Sequence, residues 1–431
     1  MFGLAMFYDL QSFGQHVTDS NIPIRLTLDE AIRRARETEV TYRGALTDAA
    51  LAREDRNQAR DALLPSVAYN NSYIYTQGTG DPAVVRFIAN NAVHEYVSQG
   101  NVHETLDLAA IADWRRASAT AAAAHARAEI AARGLVVTVV QAYYGAAAAQ
   151  QKLDAARNAA DEGQRFLKLT QDLEKGGEVA HSDVIKAELQ ENDRLRQLQE
   201  SKLAALSSRL DLSVLVFQDF NDNYDISDDL HAEVSLPNVE EVKRLAAQQN
   251  PDIRAAIETL KAAGHEVTAS KAGYLPSLSL DYFYGIDATH FATKTNGVSN
   301  LGSSAVATLN IPIWNWGATQ SRVRQAELQR DQAKRELSLA QRKLLAELQS
   351  LYAEAETASM ELGSLSRSAE LSKESLRLTT LRYKNGEATV LEVVDAQTTS
   401  TTADFAYQDG AARYRLALAN LQTLTGVLTT P

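Results

Sequence analysis

The side chains best suited to charge-based chemistry in this sequence are two carboxylates near the carboxyl end, Glu392 and Asp395. Their i, i+3 spacing places both on one face of a helix. They follow Gly386 by one to two turns, and a glycine there is suited to end the preceding helix. Carboxylates that line a narrow opening attract cations, whereas a lone Glu/Asp pair is usually a solvated helix face. The residues by themselves leave both interpretations open.

The remaining reactive groups form no catalytic or phosphate-binding pattern. The chain has no cysteine, so it has no thiol nucleophile, no disulfide and no cysteine-based metal site. Its eight histidines are scattered, without the His-Glu-x-x-His spacing of a zinc protease. His94 and His103 lie near Glu95 and Glu104, where a solvated strand or loop is favoured over a metal site. We therefore predict no enzyme, no cofactor and no metal centre.

Composition narrows the classes of protein further. The chain has 431 residues, is 45% hydrophobic and carries a net charge of −12. This balance fits a folded protein and argues against nucleic-acid binding, which normally requires a basic surface. No run of 18 apolar residues exists, so no membrane-spanning helix is predicted, although the short alternating strands of a membrane β-barrel remain possible. The segment 1–22 has no assignable role, and it lacks the cationic start of a secretory signal. A signal has been removed or replaced, or the chain is not exported.

The elements that must position these residues are duplicated. Leu-Pro-Ser at 64–66 returns at 275–277, and the acidic pair at 29–30 returns at 240–241, both after 211 residues. A second pattern, from Gly177-Glu178, returns at Gly386-Glu387 after 209 residues. Such repetition predicts two copies of one unit, each running helix, strand region, very long helix, helix. We place the first repeat at 23–220, an acidic linker or insertion at 221–236 and the second repeat at 237–431.

Long helices are predicted in both repeats. Residues 83–236 and 313–430 contain no proline, which would cost about 3 kcal/mol inside a helix. A helix over 317–384 would be about 100 Å long. Its apolar and small residues recur with a period of 3.5, which imposes a left-handed supercoil on neighbouring helices; an ordinary dimeric coiled coil is the alternative. The repeating positions are Leu344, Leu348, Leu351, Ala355, Ala358, Leu362, Leu365, Ala369, Ser372 and Leu376.

Four strands are predicted, at about 66–77, 92–108, 277–287 and 299–313. Alternation puts apolar and aromatic side chains on one face and small or polar ones on the other, as in membrane barrels with an aromatic girdle. A soluble antiparallel sheet with one buried face is the alternative, and alternation alone favours it. Because lipid does not tolerate open sheet edges, a membrane sheet of this size requires several protomers. The aromatic face contains Tyr69, Tyr73, Tyr75, Tyr282 and Tyr284.

Taken together, these motifs resemble the TolC family of bacterial outer-membrane efflux proteins. The matching pieces span most of the chain, and their order and duplication are more specific than any one of them. They are Leu26-Thr-Leu-Asp-Glu-Ala-Ile32, the two Leu-Pro-Ser junctions, Leu309-Asn-Ile-Pro-Ile-Trp-Asn-Trp-Gly317, and Arg382-Tyr383-x-x-Gly386-x5-Glu392-Val393-x-x-Ala396-Gln397.

The resemblance implies a mainly α fold with a membrane β-barrel section. Each protomer of a homotrimer would give four strands to one twelve-stranded barrel in the outer membrane, and the long helices would form a tunnel across the periplasm. The expected function is a passive export conduit of a tripartite efflux or type I secretion system. It would be opened by an inner-membrane transporter and a periplasmic adaptor protein. The rival hypothesis is a soluble or periplasmic coiled-coil scaffold without a pore.

The resemblance also implies roles for particular residues. Glu392 and Asp395 match acidic positions that line the constricted periplasmic entrance, and Tyr383 and Asp183 match the network that keeps it closed. The arginine of that network falls at Ala388, so the closed state would either be held by other contacts, for example of Lys384 or Lys186, or be weaker. The helix turns at Gly176-Gly177-Glu178 and Asn385-Gly386-Glu387 match the tips on which an adaptor docks. They are also the tight turns that any pair of helices needs.

A last departure from the family pattern lies at the first junction from strand to helix. The segment from Asp107 to Trp114 lacks the proline and glycine found at 312 and 317, so we expect a differently shaped connection there.

Overall fold

The structure is a computed structural model, and it describes residues 24–75, 94–218, 223–227, 230–232 and 234–425. The segment 1–22 and the predicted polar loop at 76–81 lie outside these residues. The described chain divides into two compact units. We call residues 24–38, 139–232 and 367–412 the tip unit. We call residues 39–138, 234–366 and 413–425 the sheet unit. Helices α3, α7 and α8, whose bounds follow, contribute to both.

The helices reproduce the duplication seen in the sequence. The first four, α1 to α4, have counterparts α5 to α8 of nearly the same length, displaced by the offsets of the sequence motifs. Their bounds are α1 Leu28–Thr38, α2 Val40–Asp61, α3 Leu108–Lys175, α4 His181–Val216, α5 Val239–Gln249, α6 Pro251–Ala272, α7 Ala318–Lys384 and α8 Val390–Thr425. Both repeats therefore share one plan, and the predicted duplicated fold is confirmed.

Within the sheet unit, the seam of α7 packs as its period predicts. Leu348, Ala355 and Ala358 are buried against α8, whose Tyr414 and Leu421 belong to the same cluster. The small alanines allow the two helix backbones to approach closely, which is why a seam rich in alanine still forms a core. The Tyr414 hydroxyl also donates to the carbonyl of Val234 over 2.6 Å. This bond ties α8 to the chain that precedes α5.

One helix departs from the expectation that none is apolar enough to cross a membrane. Among the described residues, α3 qualifies by length and hydropathy, with 44% of its most apolar window buried. Its hydropathy comes from alanines and valines, and Ala123, Val136, Val139 and Val140 are buried. The same composition is typical of a helix that packs against other helices, so length and hydropathy alone are weak evidence for a membrane span.

Four strands form one antiparallel sheet in the order β2-β3-β5-β8. Each begins within a few residues of its predicted start. The last strand is shorter than predicted: it ends at Asn310 rather than near Ile313, since Pro312 has no backbone N–H for a sheet ladder. The strands are β2 Ser66–Tyr75, β3 His94–Leu106, β5 Ser277–Ala288 and β8 Leu301–Asn310.

The remaining strands are short. The loop after β5 contains a hairpin of β6 (Lys294–Thr295) and β7 (Val298–Ser299) around Asn296-Gly297, both with positive φ. This dipeptide is the usual signal of a two-residue hairpin, and the sequence prediction missed it. In the tip unit, β1 (Ile24–Leu26) pairs in parallel with β4 (Tyr224–Ile226). Part of the predicted linker at 221–236 is thus a strand, and it holds the buried Tyr224.

Candidate functional site

Two matching turns in the tip unit connect α3 to α4 and α7 to α8. Gly177 and Gly386 adopt left-handed φ values of 76° and 75°. The N–H of Glu178 donates to the Leu173 carbonyl over 2.9 Å, and the N–H of Glu387 donates to the Arg382 carbonyl over 2.9 Å. This pattern, with a left-handed residue followed by a bond back over five residues, is the Schellman helix end. It requires glycine because a Cβ is strained at this φ.

A small apolar core holds the two turns together. Tyr383, Ala187, Val390 and Val393 are buried in it with Phe166. The rings of Phe166 and Tyr383 lie 5.2 Å apart at 57°. Because these residues come from α3, α4, α7 and α8, the core fixes the start of each short helix against the end of a long one. Ala388 is half-buried and packs at the edge of the same core.

Tyr383 is only 3% exposed, and its hydroxyl donates to the Thr170 Oγ1 over 3.4 Å. Burial raises the pKa of the Tyr383 phenol; the Thr170 hydrogen bond lowers it and the nearby Asp183 carboxylate raises it. Thr170 in turn donates to the Phe166 carbonyl over 3.0 Å. The structure therefore places Asp183 near Tyr383, with Thr170 as the direct hydrogen-bond partner of the phenol.

The two predicted carboxylates have different surroundings. Glu392 accepts hydrogen bonds from the N–H and the hydroxyl of Thr389, both over 3.2 Å, and its Oε2 lies 3.5 Å from Arg382 Nη1. The Thr389 hydroxyl accepts from the Glu392 N–H over 3.4 Å, which completes a capping box at the start of α8. Asp395 is exposed one turn further along.

The cations near this junction have different partners. Lys186 pairs with Asp183 over 3.2 Å. Lys384 lines a groove with Arg377 and Asp404 instead. The guanidinium at this junction comes from Arg382, which sequence reasoning did not select. The Thr389-x-x-Glu392 spacing was a usable signal for the capping box, whereas the reach of Arg382 across the turn depends on the tertiary fold.

The predicted aromatic residues lie on one face of the sheet. The register pairs Val67 with Val102 and Val102 with Tyr282, so the first and second hairpins present the same face. Every residue of β2 and β8 is exposed. Tyr69 is 68% exposed and Tyr282 is 48% exposed. The opposite face carries the pairs Asn70–Gln99 and His103–Asp281. One face is thus apolar and aromatic, and the other is polar.

The register also separates the two histidines of the weak metal hypothesis. His94 and His103 are an odd number of residues apart in one continuous strand, so they point to opposite faces. The His94 ring stacks with Tyr73 at 5.9 Å. His103 Nδ1 lies 2.8 Å from Asp281 Oδ1, and its Nε2 lies 3.0 Å from the Thr105 hydroxyl. The two imidazoles therefore cannot bind one metal ion.

Comparisons with known proteins agree with this geometry. A family model described as "Outer membrane efflux protein" matches residues 242–427. The outer membrane protein TolC of Escherichia coli is 22% identical over 93% of this chain and 82% of its own length. The alkaline protease secretion protein AprF of Pseudomonas aeruginosa is 23% identical over 94% of this chain and 85% of its own length.

A solved structure shows that the fold is shared. The outer membrane channel CmeC of Campylobacter jejuni superposes with a TM-score of 0.81 at 18% identity, and the match covers 93% of this chain and 85% of CmeC. The duplicated helices, the four-stranded sheet and the paired tip turns, together with these relatives, lead to one conclusion. The chain has the fold of outer-membrane efflux channels, and its residues 242–427 match the outer membrane efflux protein family.

Proposed function

We propose that this chain is the outer-membrane channel of a tripartite efflux or type I secretion system and that it works as a homotrimer. It is a passive conduit: an inner-membrane transporter supplies the energy, and a periplasmic adaptor opens the entrance. The sheet lies in the outer membrane and the helices extend into the periplasm. The names of the relatives support both branches of this proposal, since TolC and CmeC are outer-membrane proteins and AprF is a secretion protein.

The four-stranded sheet is the observation that carries the proposal. Within the described residues, β2 and β8 each pair on one side only, so both edges present unpaired N–H and C=O groups. A sheet with an exposed aromatic face and two open edges is unstable in lipid and prone to aggregate in water. Closing it with the sheets of two further copies pairs every edge and turns the polar face toward a channel.

The tip unit supports the entrance and adaptor roles. The turns at Gly176-Gly177-Glu178 and Asn385-Gly386-Glu387 are exposed, so an adaptor can reach them. Glu392 and Asp395 follow directly on α8, and Tyr383 and Asp183 brace the same junction. In a three-fold arrangement these acidic side chains would surround the axis, where like charges repel anions and attract cations.

The test is to express the chain with a secretion signal and follow it through fractionation. We expect an outer-membrane fraction, a trimer in detergent by light scattering, and stepwise single-channel conductance in planar bilayers. The pore-free scaffold makes the opposite prediction: the chain stays soluble without detergent and adds no conductance. A detergent-stable trimer that never conducts would also contradict the proposed channel.

A further inference from the structure

The carboxylate of Glu392 is already engaged within its own protomer. It accepts two hydrogen bonds from Thr389 and lies 3.5 Å from the Arg382 guanidinium. Arg382 is held from a second side, because its Nη2 donates to the Glu387 carbonyl over 2.9 Å. Two contacts within one protomer, to the Glu387 carbonyl and to Glu392, therefore hold the guanidinium at this turn.

Asp395 lacks such a partner. It is exposed on α8, and its carboxylate makes no hydrogen bond or ion pair with another residue in the part of the chain that the structure describes. The equivalent positions in the first repeat carry one acidic and one basic residue instead of two acidic residues. Asp183 is the counterpart of Glu392 and Lys186 is the counterpart of Asp395, and these two pair with each other over 3.2 Å. Of the three acidic side chains considered at these helix starts, Asp395 alone keeps an uncompensated charge.

We propose that Arg382 determines the ion selectivity of the entrance: it neutralises Glu392, so that cations are attracted by Asp395 alone. This inference rests on the proposed channel function. A trimer would then present three effective negative charges at this level in place of six, because each Arg382–Glu392 pair adds no net charge. Ala388 stands where the resemblance places an arginine. Arg382 supplies a positive charge at the same junction, but it comes from the preceding helix and pairs with Glu392.

Removing the charge of Arg382 should leave the Glu392 carboxylate uncompensated. The fold should persist, since an exposed ion pair contributes little to stability. Arg382→Gln removes the charge and keeps an amide that can still donate to the Glu387 carbonyl. We expect the Mg²⁺ concentration for half-block to fall by about threefold to tenfold, because the attraction of a divalent ion grows with each unmasked carboxylate. Asp395→Asn should raise that concentration by a similar factor, and so should Glu392→Gln, because it leaves the Arg382 charge unpaired beside Asp395.

The measurement is Mg²⁺ block and the reversal potential of purified trimers in planar bilayers at low ionic strength, where screening is weakest. Arg377→Gln is the matched control, because Arg377 lies on the same helix and pairs with Glu374 over 2.7 Å. It should leave block unchanged. The double variant Arg382→Gln/Glu392→Gln should return close to the wild-type value, since it removes both members of the neutral pair.

Two results would overturn the inference. Arg382→Gln could behave like Arg377→Gln, or the double variant Arg382→Gln/Glu392→Gln could weaken block as much as Glu392→Gln alone. The comparison of the double variant with Glu392→Gln decides the question even if Arg382→Gln alone fails to assemble, because the double variant leaves no uncompensated charge at position 382 or 392. Wild-type trimers that do not conduct would instead contradict the proposed channel function itself.

Discussion

At the scale of single residues, burial and hydrogen bonding distinguish side chains that the sequence treats alike. Glu392 and Asp395 are both acidic, exposed and on one helix face, yet only Glu392 contacts Thr389 and Arg382. Tyr383 is one of 16 tyrosines, but it is almost fully buried at the junction of two helix pairs. These differences decide which residues can respond to ions or to pH.

Tyr383 provides a pH prediction. Burial raises its pKa above the ordinary value, so the folded state holds the phenolic proton more tightly than the unfolded state does. The stability from this group is complete below the unfolded pKa, about 10, and is lost as the pH rises from there through the folded pKa. Tyr383→Phe should therefore lose less thermal stability between neutral and strongly alkaline pH than the wild type.

The measurement is the midpoint of thermal unfolding of the trimer as a function of pH. Tyr282→Phe is the matched control, because Tyr282 is 48% exposed; it should follow the wild type. Equal alkaline losses in Tyr383→Phe and the wild type would contradict the assigned role of burial.

At the scale of elements, the two connections from strand to helix differ although the repeats share one plan. In the first, β3 ends at Leu106 and α3 begins at Leu108, with Asp107 Oδ1 accepting the Ala110 N–H over 2.5 Å. In the second, seven residues separate β8 from α7, and Trp316 and Gly317 have positive φ. The expected difference is thus present: a side-chain cap replaces the proline and glycine.

The longer connection yields a prediction about membrane depth. Ile313, Trp314 and Trp316 are 90%, 75% and 89% exposed, and the two indole rings lie 5.8 Å apart. Tryptophan favours the boundary between acyl chains and head groups. In vesicles, single-tryptophan variants that keep Trp314 or Trp316 should be quenched most by lipids brominated near the head group.

A variant that keeps only the half-buried Trp114 serves as the comparison, and it should be quenched less by the same lipids. Strong quenching of Trp314 and Trp316 by aqueous iodide, without quenching by any brominated lipid, would show that this connection lies outside the membrane interface.

At the scale of the whole molecule, the proposed trimer would pair the edges of the sheet and give its two faces different surroundings. Its two faces differ in polarity, both are exposed in the protomer, and its edges lack partners among the described residues. In a closed barrel the aromatic face meets lipid and the polar face meets water, so substitutions on the two faces must have unequal effects. A soluble sheet exposed on both sides would not discriminate between them.

Ala305 and Val306 test this difference, because they are neighbours on β8 that pair with Tyr282 and Asp281 respectively. Ala305→Arg places a charge on the lipid face, at a cost of about 2–4 kcal/mol near the bilayer midplane. Val306→Arg places the same charge on the polar face. We expect a large fall in outer-membrane trimer for Ala305→Arg and near-normal amounts for Val306→Arg, measured by fractionation. Similar yields for the two variants would argue against a membrane barrel.

The sequence by itself determined the plan of the molecule. Proline placement, the period of 3.5 along α7, the alternation in the strands and the two repeat offsets are local or periodic signals. Local backbone chemistry and side-chain spacing are sufficient to read them. They located α7 and the four strands of the main sheet to within a few residues and indicated both glycine turns, whereas β1, β4 and the β6–β7 hairpin were missed.

Only the tertiary structure decided which of these residues act together. Arg382 reaches Glu392 across a turn, Tyr383 meets Thr170 over a separation of 213 residues, and His103 meets Asp281 over a separation of 178. Such pairs depend on how helices and strands pack, and their spacing in the chain carries no period that could reveal them. The charge on Glu392 could be counted from the sequence. Its pairing with Arg382 depends on the folded turn, which directs the Arg382 guanidinium toward the carboxylate.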